Sequence, residues 1–398
     1  MPYRMLALMT GAQVGGAIVQ QGLGSLSPAL VETYHLSDAA LGASFSALGV
    51  GSAAFTILAG ILVDRFGERP VVLWGGVGLG LALFAAAAIP WYPWFVVWIF
   101  VFGCMYAAQT PAGGRAVLAW FDRDRGFAMS IRQAGVPLGG AIGGVLLPAI
   151  TVHADYRWSL VFGGIVGAGA AIAAAIFYRD APRLPSAQKP MHHLVRDMLR
   201  IARQPQTILF TLACMVLVSG QTIMNAFFAV TAVTQAHASI ALAASAFAFA
   251  QVCAVVGRIV WGRLSDGLFR GNRALPLVSI ALILALDAFA IAHISGPPGL
   301  MLFVLGGSLG FSAAGWNGVF ATAMAEIGGA DLAGSILGLG LTFIFGASAV
   351  APLVFGGLAD RHGLSTAWNA LGVLAIVGLI PPLLAMRTSG GGRLSHGA

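Results

Sequence analysis

The chain has 398 residues, 58% hydrophobic and 9% charged, with net charge +7 and mean hydropathy +0.88. A soluble domain carries about 25% charged residues, so composition excludes a secreted domain, a cytosolic enzyme and a nucleic-acid module. The basic residues lie dispersed in short loops rather than in a patch, as they do where they orient a polytopic membrane protein.

Apolar stretches between charged or Pro/Gly-marked breaks predict an all-α membrane protein of twelve spans. Six occupy 5–31, 38–63, 70–89, 92–118, 126–151 and 156–179; six more occupy 206–235, 239–265, 274–294, 298–327, 332–358 and 365–386. This divides the chain into a first six-span bundle (1–179), a linker (180–205) and a second bundle (206–398). The linker holds Arg183, Lys189, His192, His193, Arg196, Arg200 and Arg203 and reads as an exposed cytoplasmic segment. With the first residues placed inside, the loops and tails on the cytoplasmic side hold nearly all the Lys and Arg. Only Arg157 and Arg361 lie outside, and Arg132 and Arg258 within spans. That asymmetry places both termini in the cytoplasm. Ala- and Gly-rich composition with a single lysine fits a GC-rich bacterial genome, hence an inner membrane. Cys104, Cys214 and Cys253 fall in apolar stretches at unrelated spacings, which supports neither a disulfide framework nor a zinc site.

The halves echo each other. Gly60-Ile-Leu-Val-Asp64-Arg65 after the second span matches Gly262-Arg-Leu-Ser-Asp266 after the eighth. A duplicated six-helix unit places a binding site between halves near the midplane.

The stretch from Gly60 through Asp64, Arg65, Phe66, Gly67 and Glu68 to Arg69 resembles the signature loop of the major facilitator superfamily. Trp120-Phe121 with Arg125-Gly126-x-Ala128 resembles that superfamily's junction between helices 4 and 5. Gly356-Gly-Leu-Ala-Asp360-Arg361-x-Gly363 is similar to its ending of helix 11. The resemblance implies two pseudo-symmetric six-helix bundles working by alternating access, with Gly60, Asp64, Arg65, Gly67, Arg69, Gly262 and Asp266 as gating residues. Arg258, eight residues before Asp266, matches the spacing of the substrate arginine in monocarboxylate transporters and the oxalate:formate antiporter group. Those transporters carry an acid four residues earlier, where this chain has Ala254, and a lysine in helix 1 or 11, where no span here holds one.

A charge within the bilayer faces a partner or a wet cavity. Arg132 lies about 10 Å into the fifth span and Arg258 about 12 Å into the eighth, at 1.5 Å per residue. No acid stands at matching depth in either span, so an anion held through paired hydrogen bonds is the natural missing charge; carbonyl capping or snorkelling is the plainer alternative. Gln13 and Gln20, Gln251 and Arg258, Gln221 and Asn225, and Tyr106 and Gln109 each share a helical face. Trp316 and Asn317 add an aromatic wall and an amide. The candidate substrate-binding set is therefore Arg258, Arg132, Gln20, Gln109, Asn225, Gln251, Asn317, Tyr106 and Trp316. Asp287, the one acid near the middle of a span, is a candidate proton site, with a packing hydrogen bond as the more ordinary role.

Gly135, Gly139, Gly140, Gly143 and Gly144 in the fifth span, and Gly334, Gly338, Gly340 and Gly346 in the eleventh, allow close helix approach. No HExxH or nucleotide-binding loop occurs, and the reading includes no enzyme activity, cofactor or metal. The expectation is a monomeric secondary transporter of a small organic anion, a carboxylate foremost, coupled to protons or running by exchange, its partners being that substrate and the bilayer. Drug or metabolite efflux and inorganic anion (nitrate or cyanate) transport are the alternatives.

Overall fold

The computed structural model describes residues 2–121, 125–179, 196, 199–294 and 299–390. The first half comprises α1 (Pro2–Tyr34), α2 (Asp38–Phe66), α3 (Glu68–Ala88), α4 (Tyr92–Ala107), α5 (Gln109–Trp120), α6 (Arg125–His153) and α7 (Tyr156–Phe177). The second comprises α8 (Pro205–Thr234), α9 (Ile240–Asp266), α10 (Ala274–Ala292), α11 (Gly299–Ala313), α12 (Trp316–His362), α13 (Leu364–Val377) and α14 (Ile380–Gly390). Of the linker, residues 180–195 and 197–198 lie outside the described residues; Arg196, Arg200 and Arg203 are exposed.

All twelve sequence-predicted spans coincide with helix. Among the described residues eleven stretches are long and apolar enough to cross a membrane. The twelfth, α1, falls short because Gln13, Gln20, Gln21, Ser25 and Ser27 lie on it. Four of these side chains are buried against neighbouring helices, as polar groups at membrane depth must be.

Two spans that the sequence reads as continuous are broken in mid-course. The fourth interrupts at Ala108, because Pro111 has no N–H to offer the Ala107 carbonyl. The tenth interrupts at Ala314–Gly315, where the Gly315 N–H turns to Ser312 O at 2.9 Å; a Cβ on Gly315 would overlap the Trp261 indole. The breaks occupy corresponding positions in the two halves. The twelfth span also divides, at Gly378–Leu379, ahead of Pro381 and Pro382.

Conversely, the tenth and eleventh spans share one 47-residue helical run, α12. Within it Glu326 bonds Arg273 beside Asp266, whereas Asp360 reaches Asp38 at the other face. Gly340 packs against Phe320, twenty residues earlier on the same run, so the chain doubles back after Glu326.

The halves pack most closely toward the Asp38 face. There a Cβ on Gly42 would overlap the Pro352 carbonyl, one on Gly24 the Asn225 carbonyl and one on Gly356 the Asp38 carbonyl, while Gly144 would meet Ala248 at 3.0 Å. Only glycine permits backbones to approach this way. Asp360 and Ser37 complete the seal. The Asp360 carboxylate accepts the N–H groups of Asp38 (2.7 Å) and Ala39 (2.9 Å), and Ser37 Oγ accepts that of Ala40 (3.2 Å). The first three otherwise unpaired donors of α2 are thus satisfied, two of them from the opposite half. Toward the Asp266 face, Cβ atoms on Gly60, Gly262 and Gly338 would meet nothing within 4 Å.

Candidate functional site

A cavity of about 180 Å³ lies between the halves on the Asp266 side of these contacts. Its wall draws on Gln13, Gln20 and Gln21 from α1, Ser52 and Thr56 from α2, and Tyr106 and Thr110 beside the break in the fourth span. The other half adds Gln221, Thr222 and Asn225 from α8, Arg258 from α9, and Trp316 and Asn317 beside the break in the tenth. Leu48, Ile344 and Phe345 supply apolar surface. Among the described residues, Arg258 is the single charged side chain on this wall.

Each intramembrane arginine is tied to the broken span of its own half. Arg258 donates through Nε to Ala314 O at 3.2 Å, and Arg132 through Nη2 to Gln109 O at 2.7 Å. Ala314 precedes α12, so its carbonyl lies outside that helix's ladder and is open to a guanidinium; Gln109 O, in the first turn of α5, takes the Arg132 bond on its remaining lone pair. Arg132 also donates to Gln13 Oε1 (2.9 Å) and Gln133 Oε1 (3.3 Å), while Gln13 Nε2 donates to the Tyr106 hydroxyl (2.6 Å). Arg258 crosses to the first half and donates to Gln133 O at 2.6 Å. Gln133 thus receives both arginines, one on its side chain and one on its backbone. No carboxylate among the described residues pairs with either; their partners are neutral oxygens.

The structure brings together Arg258, Gln20, Asn225, Tyr106, Trp316 and Asn317 on the wall. Asn225 Nδ2 donates to Gln21 Oε1 (2.6 Å), and Gln251 Nε2 donates to Asn225 Oδ1 (3.0 Å), so Gln251 stands behind Asn225 rather than on the wall. Trp316 Nε1 donates to Gln221 Oε1 at 3.2 Å. Arg132, 1% exposed, lies behind Tyr106 and Gln13, inside the first half. Gln109 is buried beside it, against Gly16, with both amide atoms unpartnered among the described residues. Gln20 Oε1 and Arg132 Nε are unpartnered likewise. Asp287 lies away from the cavity, on α10, where it accepts Ser308 Oγ (3.0 Å) and Ser312 Oγ (3.4 Å) of α11.

At the Asp266 face the Asp64 side chain lies outside the described residues, as does that of Arg125. Gly67 takes φ 95° between α2 and α3, a conformation that suits glycine, and its N–H bonds Val63 O. Arg65 stacks on Phe66 with its guanidinium carbon 5.4 Å from the ring centroid. Arg69 donates to Ala175 O. Arg115, not singled out by sequence, pairs with Glu68 at 3.1 Å and donates to Val63 O at 2.5 Å. In the second half Arg273 joins Asp266 and Glu326. Glu326 foremost raises its pKa above the ordinary arginine value; burial, next in size, opposes the rise, and Asp266 adds to it. Gln133 is the main wall residue the sequence reading passed over; its position next to Arg132 was the available signal.

The sequence model of the family described as Major Facilitator Superfamily matches residues 9–352. The chain is 31% identical over 354 residues to an uncharacterized MFS-type transporter of Mycobacterium tuberculosis, covering 87% of this chain and 77% of that one. A probable sulfoacetate transporter of Cupriavidus necator is 32% identical over 162 residues, 39% of this chain and 36% of the relative. A bacterial homolog of the human lysosomal transporter Spinster, solved inward-facing and unoccupied, superposes with TM-score 0.83 at 16% identity over 100% of this chain and 99% of that one.

Proposed function

This chain belongs to the Major Facilitator Superfamily, a family of transporters and not of enzymes, and we propose that it carries a small organic anion, foremost a carboxylate, by alternating access. The observation that carries this reading is the cavity's charge: among the described residues, one arginine, no acid and a wall of amides and hydroxyls. A guanidinium whose partners are neutral oxygens retains its positive charge, and a carboxylate is the ligand that matches it in charge and in paired hydrogen-bond geometry. Gln20, Asn225 and Asn317 supply donors and acceptors for the remainder of the substrate, and Trp316 and Phe345 supply apolar contact. The partial match to a probable sulfoacetate transporter supports an anionic substrate class.

Arg132 supports the site from behind, by holding Gln13 and through it the Tyr106 hydroxyl. The Asp266 face, which bears the signature loop, is cytoplasmic in this reading, and the membrane is a bacterial inner membrane. With no carboxyl group among the described residues of the cavity wall, coupling runs through a proton on the substrate or through exchange of one anion for another.

Thermal shift of the purified protein against pyruvate, lactate, oxalate, benzoate, sugar acids, sulfoacetate, nitrate and cyanate tests this. Ligand at 100 times its Kd stabilises by about 2.7 kcal/mol. One anion class should stabilise the wild type and lose its effect in Arg258→Ala. Equal shifts in both proteins, or none with any anion, would make Arg258 structural and bring efflux of uncharged or cationic compounds forward.

A further inference from the structure

The residue four positions beyond Gln133 is Pro137, inside α6. In an α-helix the carbonyl of residue i takes the N–H of residue i+4, and proline has none to give. The Gln133 carbonyl is therefore left without its i+4 donor at membrane depth, where an unpaired carbonyl is costly. Arg258, on the facing helix of the other half, donates to that oxygen at 2.6 Å. Along the α6–α9 seam, Gly144 lies against Ala248, Gly140 against Gln251 and Gln133 against Arg258. The last of these is nearest the Asp266 face, toward which the cavity lies.

We propose that Pro137 makes the Gln133 carbonyl the resting partner of Arg258, so that this hydrogen bond, together with that from Asn225 to Gln21, ties the two halves at the cavity, and an incoming anion must displace the Arg258 bond. Pro137 is a positioning residue in this scheme: it touches no substrate and acts by leaving an acceptor open. The displacement needs no rearrangement elsewhere. Arg258 keeps its bond to Ala314 O within its own half while its Nη1 turns from a neutral carbonyl to an anionic oxygen, a stronger acceptor for a guanidinium. Occupancy of the cavity is thereby linked to the contact between halves, and a contact made in one state only biases the equilibrium between states. The competition with an anion rests on the substrate class proposed above, whereas the tie between halves does not.

The test separates these two parts. Cys104, Cys214 and Cys253 are replaced by alanine, and spin labels are placed at Phe66→Cys and Leu268→Cys, exposed positions in different halves at the Asp266 face. Pulsed electron paramagnetic resonance then reads the distance between halves without ligand. Pro137→Ala returns an N–H to α6, which reclaims the Gln133 carbonyl; the distance should lengthen and its distribution broaden. Gln133→Ala keeps the backbone oxygen and should leave the wild-type distance. Pro137→Ala added to Arg258→Ala should change nothing beyond Arg258→Ala alone, since both remove the same bond.

An unchanged distance in Pro137→Ala overturns the proposal. So does a shift in Gln133→Ala as large as that in Pro137→Ala, or additivity in the double variant, which would mean that proline acts through helix shape. With oxalate, pyruvate or benzoate as the probe, Pro137→Ala should bind about threefold to tenfold more tightly, the factor one displaced hydrogen bond represents. Weaker or equal binding in Pro137→Ala also overturns the displacement. Failure of all three probes to bind the wild type defeats the anion reading and with it the displacement, while the distances still decide the tie.

Discussion

Asp360 stands at the N-terminus of a helix to which it does not belong. Its carboxylate bonds the backbone N–H of Asp38 at 2.7 Å and that of Ala39 at 2.9 Å, across 322 residues of chain and across the boundary between halves. The partial positive charge of a helix N-terminus favours this placement. The bond exists only while the Asp38 face is closed, so it stabilises this state alone.

Asp360→Ala should therefore loosen that face without disturbing the cavity. Loss of a capping carboxylate costs about 0.5–2 kcal/mol. Ser46 is buried on α2, between Gly42 and Gly49, which both pack on α12. With the three native cysteines replaced by alanine, Ser46→Cys offers a thiol that this face covers. It should react faster with a membrane-impermeant maleimide in Asp360→Ala than in the parent. Asp360→Asn, which still accepts a hydrogen bond, should fall between the two. Equal labelling rates would remove Asp360 from the gate.

Gly42 should tolerate nothing larger. A Cβ there would overlap the Pro352 carbonyl, a backbone atom that cannot step aside as a side-chain tip can. Gly42→Val should cost the closed arrangement about 1–3 kcal/mol and leave the open state at that face unharmed. Transport should fall while the folded yield is retained. The same labelling assay would report the face as open. Normal transport would show that α2 and α12 separate by simple bending.

Gly113 makes room for Arg132. A Cβ at 113 would overlap Arg132 Nε, forcing the guanidinium off Gln109 O and Gln13 Oε1. Gly113→Ala should lower the melting temperature. Because the small side chain of Arg132→Ala removes the clash, the added cost of Gly113→Ala should disappear in that background. Full additivity would refute the packing relation.

Asp287 accepts hydroxyl hydrogen bonds from Ser308 and Ser312 and stands away from the cavity wall. An asparagine oxygen accepts the same bonds. Asp287→Asn should thus retain transport and its dependence on external pH, read as proteoliposome uptake over a range of pH values. Loss of the pH dependence would return Asp287 to the role of proton carrier.

The sequence made the helices legible because each is an apolar stretch of bilayer length, and it made the pseudo-symmetry legible through Gly60/Asp64 and Gly262/Asp266. It did not disclose the breaks at Ala108 and Gly315. Pro111 carried a signal for the first that the sequence reading passed over, whereas at the second the Trp261 indole, which leaves room only for glycine at 315, comes from another helix. The sequence placed Arg132 and Arg258 at similar depth, yet depth fixes only one coordinate. Which arginine reaches the cavity depends on rotation about the helix axis and on the Gln13–Tyr106 pair standing in front of Arg132. Gln133 escaped notice because its part is played by its main-chain oxygen as much as by its side chain, and main-chain atoms are the same at every position.

The lone arginine on the cavity wall also has an electrical consequence. An empty carrier changes access with the charge of Arg258 unbalanced on the wall, whereas one loaded with a monovalent anion changes access with that charge balanced; Arg132, behind the wall, contributes equally to both. A full elementary charge moved through 100 mV corresponds to about 2.3 kcal/mol, and any fraction of it makes the unloaded return the voltage-sensitive half of the cycle. In proteoliposomes, exchange of one anion for another should proceed at a rate indifferent to an imposed potassium diffusion potential, while net flux should follow its sign. Equal voltage dependence in both modes would mean that the charge on Arg258 is balanced even when the cavity is empty.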